Sequence, residues 1–220
     1  MITIYGEGRG FRVVWLLEEL GLNYRLRPVD LLKDISDNAE FLAVNPAGFI
    51  PALVDGDVVM VESVAIMQYL MATYGPSPLE VRPDDEGYPL YLQFLMMGEA
   101  AFSSSMFYYT NFHRIVPKDT RPEQFDRFIK YQFDSRLDLI RRQVEQTPYL
   151  AGDRFTAADV STVYALDNAR RGAGIHFDGA VRDYMARCIG RDSYRRTMDR
   201  CLDMKKWHEG LARDGKLPPI

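Results

Sequence analysis

Two short stretches carry residue types suited to binding a small anionic molecule. Ile50-Pro51 follows an Asn-Pro-Ala-Gly turn at residues 45–48 and stands where a strand should begin. Because proline cannot donate a ladder hydrogen bond, the backbone beside it faces something other than a central strand, and a ligand can take that place. Glu62-Ser63 precedes a helical pattern over Val64–Tyr74, with Ser63 placed to cap it. The amide groups and positive dipole end of such a helix start favour a carboxylate.

A predicted hairpin joins these two stretches. The apolar run Ala52–Val54 and the β-branched run Val58–Val61 flank Asp55-Gly56, a pair suited to the positive-φ positions of a tight turn. By itself this pattern is also compatible with an ordinary hairpin and a capped helix in which Glu62 is merely solvated.

The sequence Phe-Ile-Pro-Ala-Leu at residues 49–53, followed by Glu62-Ser63 eleven residues after Pro51, resembles the glutathione-binding signature of cytosolic glutathione S-transferases. The resemblance implies that Pro51 is cis and that Ile50 pairs main chain to main chain with the cysteine of glutathione. It also implies that Glu62 and Ser63 hold the γ-glutamyl end. Glutathione is then the co-substrate, and no metal is expected.

The loop after the first predicted strand departs from this family. Residues 6–12, Gly-Glu-Gly-Arg-Gly-Phe-Arg, contain no Ser, Thr or Cys, whereas the Ser- and Cys-type classes place a hydroxyl or thiol there to stabilise the glutathione thiolate. Tyr5, at the strand end, can supply a phenolic donor or can simply be a packed strand residue. The alternative is electrostatic stabilisation by the backbone amides of Gly8 to Phe11 at the helix start, Gly10 among them, together with the positive charge of Arg9.

Phe49 is a second departure, because many relatives have a lysine or glutamine there that contacts the glycyl carboxylate of glutathione. Lys33, Arg12 and Asn45 are three residues that could compensate, and the sequence does not choose among them.

An electrophile pocket is expected between the domains, against the first long helix of the second half. Aromatic side chains and methionine concentrate over residues 102–113 and suit a flat apolar co-substrate. We expect at least half of them to be core residues, and we select Met106, Tyr109 and His113 as pocket residues.

The elements that position these residues fall into two domains. Strand, helix and strand patterns over Ile2–Tyr5, Phe11–Leu20 and Tyr24–Val29 predict a parallel βαβ unit, and a short helix at Asn38–Val44 leads into the hairpin. The order βαβαββα predicts an α/β thioredoxin-like domain over residues 1–76. A proline-rich polar linker at 77–87 precedes an all-helical domain over 88–220. Together they predict the glutathione S-transferase (GST) fold.

Within the helical half, Thr156 and Asp159 form a capping box before an apolar-periodic helix. The same family places such a box at the start of a buried central helix, where its role is structural. Phe155, Thr156 and Asp159 match that pattern.

Composition narrows the possible partners. A net charge of −4 without a broad basic segment argues against nucleic acid, and no apolar run approaches a membrane-spanning length. Cys188 and Cys201 are the two cysteines, and we expect free thiols in a cytoplasmic protein, since no basic segment followed by an apolar run opens the chain.

The resemblance implies a homodimeric glutathione transferase, a class that serves detoxification by joining the sulfur of reduced glutathione to an apolar electrophile. Peroxidase, dehalogenase, etherase and isomerase variants of this chemistry stay open. A non-catalytic GST-like binding module is the rival that the missing loop hydroxyl favours. A thioredoxin-like redox protein is a weaker alternative, because no cysteine precedes residue 188.

Overall fold

The computed structural model describes residues 1–30 and 35–220, which form two compact units. The first unit contains Met1–Ser77 and Gly190–Glu209, and the second contains Pro78–Ile189 and Gly210–Ile220. Part of the predicted helical domain, residues 190–209, therefore packs with the first unit.

The first unit is built on a four-stranded mixed sheet of order β2-β1-β3-β4. Strands β1 and β2 are parallel, and the β1-β3 and β3-β4 pairs are antiparallel. This confirms the predicted thioredoxin-like order. In chain order the elements are β1 (Ile2–Tyr5), α1 (Gly10–Leu20), β2 (Tyr24–Arg27), α2 (Ala39–Val44), β3 (Ala52–Asp55), β4 (Val58–Val61) and α3 (Ser63–Tyr74).

Three predicted boundaries need correction. Strand β2 ends at Arg27 rather than Val29, because Pro28 has no N–H to continue the ladder. The hairpin turn consists of Gly56 and Asp57, since Asp55 still pairs with Val58 in the ladder. Ser63 does not cap α3 but is its first residue, and Glu62 takes the capping position without a side-chain hydrogen bond.

The remaining elements are helical. They are α4 (Tyr88–Met97), α5 (Ser104–Ile115), α6 (Glu123–Val144), α7 (Ala157–Ala173), α8 (Gly179–Ile189), α9 (Asp192–Arg200) and α10 (Leu202–Arg213). A π-helical turn over Gly98–Ser103 joins α4 to α5. Within residues 1–30 and 35–220, none of the helices is both long enough and apolar enough to cross a bilayer.

Close packing of α4 on α7 organises the second unit. A Cβ at Gly98 would lie 2.4 Å from Ser161 Oγ, so glycine permits the approach. The hydroxyls of Ser161 and Thr162 donate to the carbonyl oxygens of Leu95 and Phe94 at 2.8 and 2.9 Å. These bonds provide partners for carbonyls at the end of α4, where the helical pattern changes.

Candidate functional site

Strand pairing brings the predicted site residues of the first unit to one end of the sheet. Ala52 pairs with Tyr5 of β1 on one side and with Val61 of β4 on the other. The neighbours of these three residues, Gly6, Pro51 and Glu62, therefore leave the sheet at the same end. The Ile50–Pro51 peptide bond is cis, as the resemblance implies.

The glycine loop lies directly against the Ile50-Pro51 segment. Gly6 has a φ of +86°, and a Cβ there would lie 2.3 Å from Ile50 Cγ2. A Cβ at Gly8, whose φ is +43°, would lie 3.1 Å from Ile50 Cδ1, and one at Gly10 would lie 3.3 Å from Pro51 Cβ. The alternate glycines thus permit a close backbone approach, and their spacing at residues 6, 8 and 10 is a signal of that approach in the sequence.

The same loop starts helix α1. The amide of Gly10 donates to the Glu7 carbonyl at 2.5 Å, and that of Phe11 donates to the Gly8 carbonyl at 3.0 Å. Arg9 precedes the helix, and the first turn contains no acidic residue. Two of the amides considered for thiolate stabilisation are therefore engaged inside the loop, while the positive end of the helix dipole favours a negative group at this helix start.

Glu62 and Ser63 adopt an unusual backbone at the start of α3. Glu62 is exposed and has φ 68° and ψ 103°, the one non-glycine residue of the described chain with a positive φ. Such conformations are costly and concentrate at functional sites. Ser63 is buried, with 2% of its surface exposed, and lies in the first helical turn, where amide groups lack intrahelical acceptors.

Tyr5 packs against the core next to this loop. Its ring lies 6.1 Å from that of Phe41, and it contacts the buried cluster of Val29, Phe41 and Ala52. The packing accounts for a tyrosine here without a catalytic role.

The residues considered for the glycyl end of glutathione have different environments. Phe49 is 73% exposed, and its carbonyl accepts a hydrogen bond from Asn45 Nδ2 at 2.6 Å. Asn45 Oδ1 also accepts from the Ala47 amide at 3.1 Å, so this side chain organises the 45–49 turn. Arg12 is fully buried, which removes it as a surface anchor for a carboxylate. Lys33 lies outside the described residues.

The second unit contains a cavity of about 300 Å³ between α5, α6 and the end of α7. Two of the three predicted pocket residues, Met106 and Tyr109, line it, and Ile129 and Phe133 add apolar surface.

The third predicted pocket residue, His113, lies beside the cavity. Its ring is 4.1 Å from the ring of Tyr109. Its Nε2 atom is 3.1 Å from Oδ1 of Asp126, which lines the cavity. The cavity lining is predominantly apolar and also includes four charged residues, namely Asp126, Arg127, Lys130 and Asp134.

The capping box is formed as predicted. Asp159 Oδ2 accepts from the Thr156 amide at 2.7 Å and from Thr156 Oγ1 at 3.0 Å. Its other oxygen accepts from the Leu150 amide at 3.0 Å and from the Tyr184 hydroxyl at 2.9 Å. Burial raises the pKa of Asp159 from 3.8 to about 6, although these four hydrogen bonds oppose the increase.

A thioredoxin-like unit with a cis-proline segment beside a glycine-rich helix start, together with an all-helical unit, defines the GST fold. Residues 10–73 match the family model described as "Glutathione S-transferase, N-terminal domain". Among solved structures, the glutathione transferase URE2P6 from Phanerochaete chrysosporium, in complex with oxidized glutathione, is similar with a TM-score of 0.77. It is 24% identical in sequence, and the match covers 92% of this chain and 97% of that one.

Curated proteins are also similar to this chain in amino-acid sequence. Glutathione S-transferase 3 of Zea mays is 31% identical over 164 residues, covering 72% of this chain and 73% of the relative. Glutathione S-transferase F10 of Arabidopsis thaliana is 30% identical over 168 residues, covering 73% of this chain and 77% of the relative. The chain belongs to the glutathione S-transferase family.

Proposed function

We propose that this protein is an active glutathione transferase that binds reduced glutathione in its first unit and joins the sulfur to an apolar electrophile. The observation that carries the proposal is the convergence of Pro51, Glu62 and the glycine loop at one end of the sheet. Backbone groups, a carboxylate and the positive end of a helix dipole together suit a peptide with charged ends.

In this proposal each part of glutathione meets a different element. The Ile50 main chain pairs with the cysteinyl residue, and Glu62 and Ser63 hold the γ-glutamyl end at the start of α3. Gly10 and Phe49 border the site. The absence of a lysine or glutamine at Phe49 leaves the glycyl carboxylate with weaker recognition than in many relatives.

Conjugation requires the thiolate of glutathione. The thiol loses its proton to solvent, the sulfur electron pair forms a bond to the electrophilic carbon, and the electron pair of the broken bond departs with the leaving group. We assign thiolate stabilisation to the start of α1 and to Arg9 rather than to the phenol of Tyr5, because Tyr5 packs against Phe41.

Glutathione binding is tested by calorimetric titration of reduced glutathione into wild type and Ser63→Ala. Loss of one hydrogen bond to a charged group should weaken binding about tenfold. Ser135→Ala, an exposed position of α6, is the matched control and should bind like wild type. Equal affinity of Ser63→Ala and wild type would remove Ser63 from the site.

We place the apolar electrophile in the cavity lined by Met106 and Tyr109, with His113 beside it. A cavity of about 300 Å³ matches the lower end of small-molecule sites. Met106→Trp should fill it and raise the KM for an apolar electrophile about tenfold, with glutathione affinity unchanged. Tyr108→Trp, on the exposed face of the same helix, is the control, and equal KM values for the two variants would refute this placement.

A non-catalytic GST-like binding module is the second candidate, favoured by the absence of Ser, Thr and Cys from residues 6–12. A module of this kind would bind glutathione without ionising its thiol. If the thiol is ionised but aromatic electrophiles are not conjugated, assays with peroxides, halides, aryl ethers and isomerisable substrates decide among the reaction variants.

The homodimer and the cytoplasmic location belong to the same proposal. Exposed apolar side chains such as Phe49, Val59, Phe128 and Tyr131 supply surface for a second copy of the chain. Both cysteines are buried and neither forms a disulfide, as suits a reducing compartment. Sedimentation should give twice the mass of one chain, and a monomer at micromolar concentration would contradict the dimer.

A further inference from the structure

Glu7 is a buried acid inside the glycine loop, and its carboxylate points to the start of another helix. Only 7% of its surface is exposed. Its Oε2 accepts hydrogen bonds from the backbone amides of Asp203 and Met204 at 2.9 and 3.0 Å. These amides belong to the first turn of α10, where the helix dipole also favours a negative group.

The burial of this carboxylate carries a cost that the helix start partly offsets. Loss of solvation raises the pKa of Glu7, the hydrogen bond from the Met204 amide opposes the increase, and the nearby Asp203 carboxylate adds to it. A buried charge persists where hydrogen bonds satisfy it. The first turn of α10 therefore holds Glu7 in one position.

The main chain of Glu7 acts on the other side of the loop. Its carbonyl oxygen accepts from the Gly10 amide at 2.5 Å, closing the turn from which α1 starts. Three glycines over five residues give the loop high conformational freedom when it is not held. One residue thus joins the turn at the start of α1 to the start of α10.

The opposite end of α1 is held by the same C-terminal segment. Arg191 pairs with Glu19 through two hydrogen bonds of 2.6 and 2.8 Å, and Arg196 donates to Glu18 at 2.7 Å. Residues 190–209 therefore contact α1 at its last turn and its preceding loop at Glu7. Together these contacts hold both ends of the helix.

We propose that Glu7 is a positioning residue that fixes the glycine loop, and with it the start of α1, against the Ile50-Pro51 segment where the glutathione sulfur lies. This inference rests on the proposed function. Glu7 acts through the loop and does not touch the reacting atoms. Its working feature is the acceptor oxygen, which an amide side chain of the same length also provides.

The test compares Glu7→Gln, Glu7→Asp and Glu7→Ala with wild type by ultraviolet titration of the bound glutathione thiol and by steady-state kinetics. Glu7→Ala and Glu7→Asp, which remove or retract the acceptor, should move the pKa of the bound thiol about one unit toward that of free glutathione and lower kcat about tenfold. KM for glutathione should change less than kcat, because Ile50, Glu62 and Ser63 are intact. Glu7→Gln should recover most of the wild-type thiol pKa.

Glu19→Gln is the matched control, because it weakens the contact of the same segment with the far end of α1. It should lower the melting temperature and leave the pKa of the bound thiol unchanged. A wild-type thiol pKa in both Glu7→Asp and Glu7→Ala would show a merely structural role and overturn the proposal. A Glu7→Gln variant as defective as Glu7→Ala would also overturn it, since the acceptor oxygen would then not be what matters.

Hydrogen exchange separates this inference from the proposed function. In the absence of glutathione, Glu7→Asp should raise amide exchange over residues 8–12 and leave α3 unchanged. If the wild-type protein fails to bind glutathione, the proposed function fails, but increased exchange of the loop in Glu7→Asp would still support the positioning role of Glu7. Unchanged exchange over residues 8–12 in Glu7→Asp would overturn that role, whatever the protein binds.

Discussion

Gly6 shows how a single residue type can decide whether the site assembles. Its positive φ, and the 2.3 Å separation between a Cβ there and Ile50 Cγ2, leave no room for any side chain. Gly56 in the hairpin turn also has a positive φ, but a Cβ there would meet nothing within 4 Å. Substitutions at these two positions therefore distinguish the cost of a strained backbone from the cost of a steric clash.

Gly56→Ala should cost about 1 kcal/mol of unfolding free energy, the cost of a left-handed backbone with a Cβ. Gly6→Ala should cost about 2 kcal/mol more, because Ile50 must move, and it should also weaken glutathione binding. Urea denaturation and calorimetric titration measure the two effects. Equal stability losses in the two variants would show that the loop does not press on Ile50.

At the same scale, local chemistry indicated a ligand position beside Pro51 and an anion site at the helix start near Ser63, and the family resemblance assigned glutathione contacts to Pro51, Glu62 and Ser63. It predicted neither the engagement of the Gly10 and Phe11 amides within the loop nor the burial of Arg12. Those features depend on how the loop and helix pack, which residue types alone do not specify.

Among the elements, α7 depends on the carboxylate that begins it. Asp159 accepts four hydrogen bonds, and an amide side chain can accept with its oxygen but not with its nitrogen. Asp159→Asn should therefore leave two buried donors unsatisfied and cost about 3 kcal/mol. Asp153→Asn, at an exposed position just before the box, is the control in urea denaturation, and comparable stability of the two variants would contradict the structural role.

The contact between α1 and the segment before α9 should depend on pH. Burial disfavours the Glu19 carboxylate, but hydrogen bonds from Arg191 and Ser193 outweigh it, so that its pKa is lowered from 4.5. A group with a lowered folded pKa stabilises the fold above its unfolded value, and that contribution is lost as the pH falls through the folded pKa.

Glu19→Gln should therefore cost about 2 kcal/mol near neutral pH, the worth of charge-assisted bonds to a partly buried pair. The difference in melting temperature from wild type should shrink as the pH falls below about 4.5, the ordinary value for glutamate. Exposed Glu145→Gln should show no such trend. A difference that stays constant down to the lowest pH at which both proteins fold would contradict the assigned ion pair.

Element order was largely predictable, because hairpin turns, caps and apolar periodicity are local signals. The hairpin, the parallel βαβ unit and the Thr156-Asp159 box all follow from residues close together in the chain. The boundaries that differed did so for local reasons as well, such as Pro28 ending β2 and Ser63 lying inside α3.

At the scale of the whole molecule, the chain returns to its first unit at residues 190–209. The residue pattern of the sequence did not predict this return. The bond between the Glu7 carboxylate and the Asp203 amide joins residues 196 positions apart, and no local signal pairs them. The helical periodicity of residues 190–209 indicates helices but not the unit they pack with. This return places two arginines and a helix start against helix α1 and the glycine loop of the proposed glutathione site.

In the proposed mechanism the start of α1 activates glutathione without a loop serine or cysteine. The decisive measurement is an ultraviolet titration of glutathione bound to the wild-type protein, between about pH 5 and 9. We expect the bound thiol to ionise more than one unit below the free value of about 8.5, because the helix start and Arg9 favour the thiolate. Saturable binding with an unshifted thiol would instead identify a non-catalytic module, and no binding would contradict the glutathione site itself.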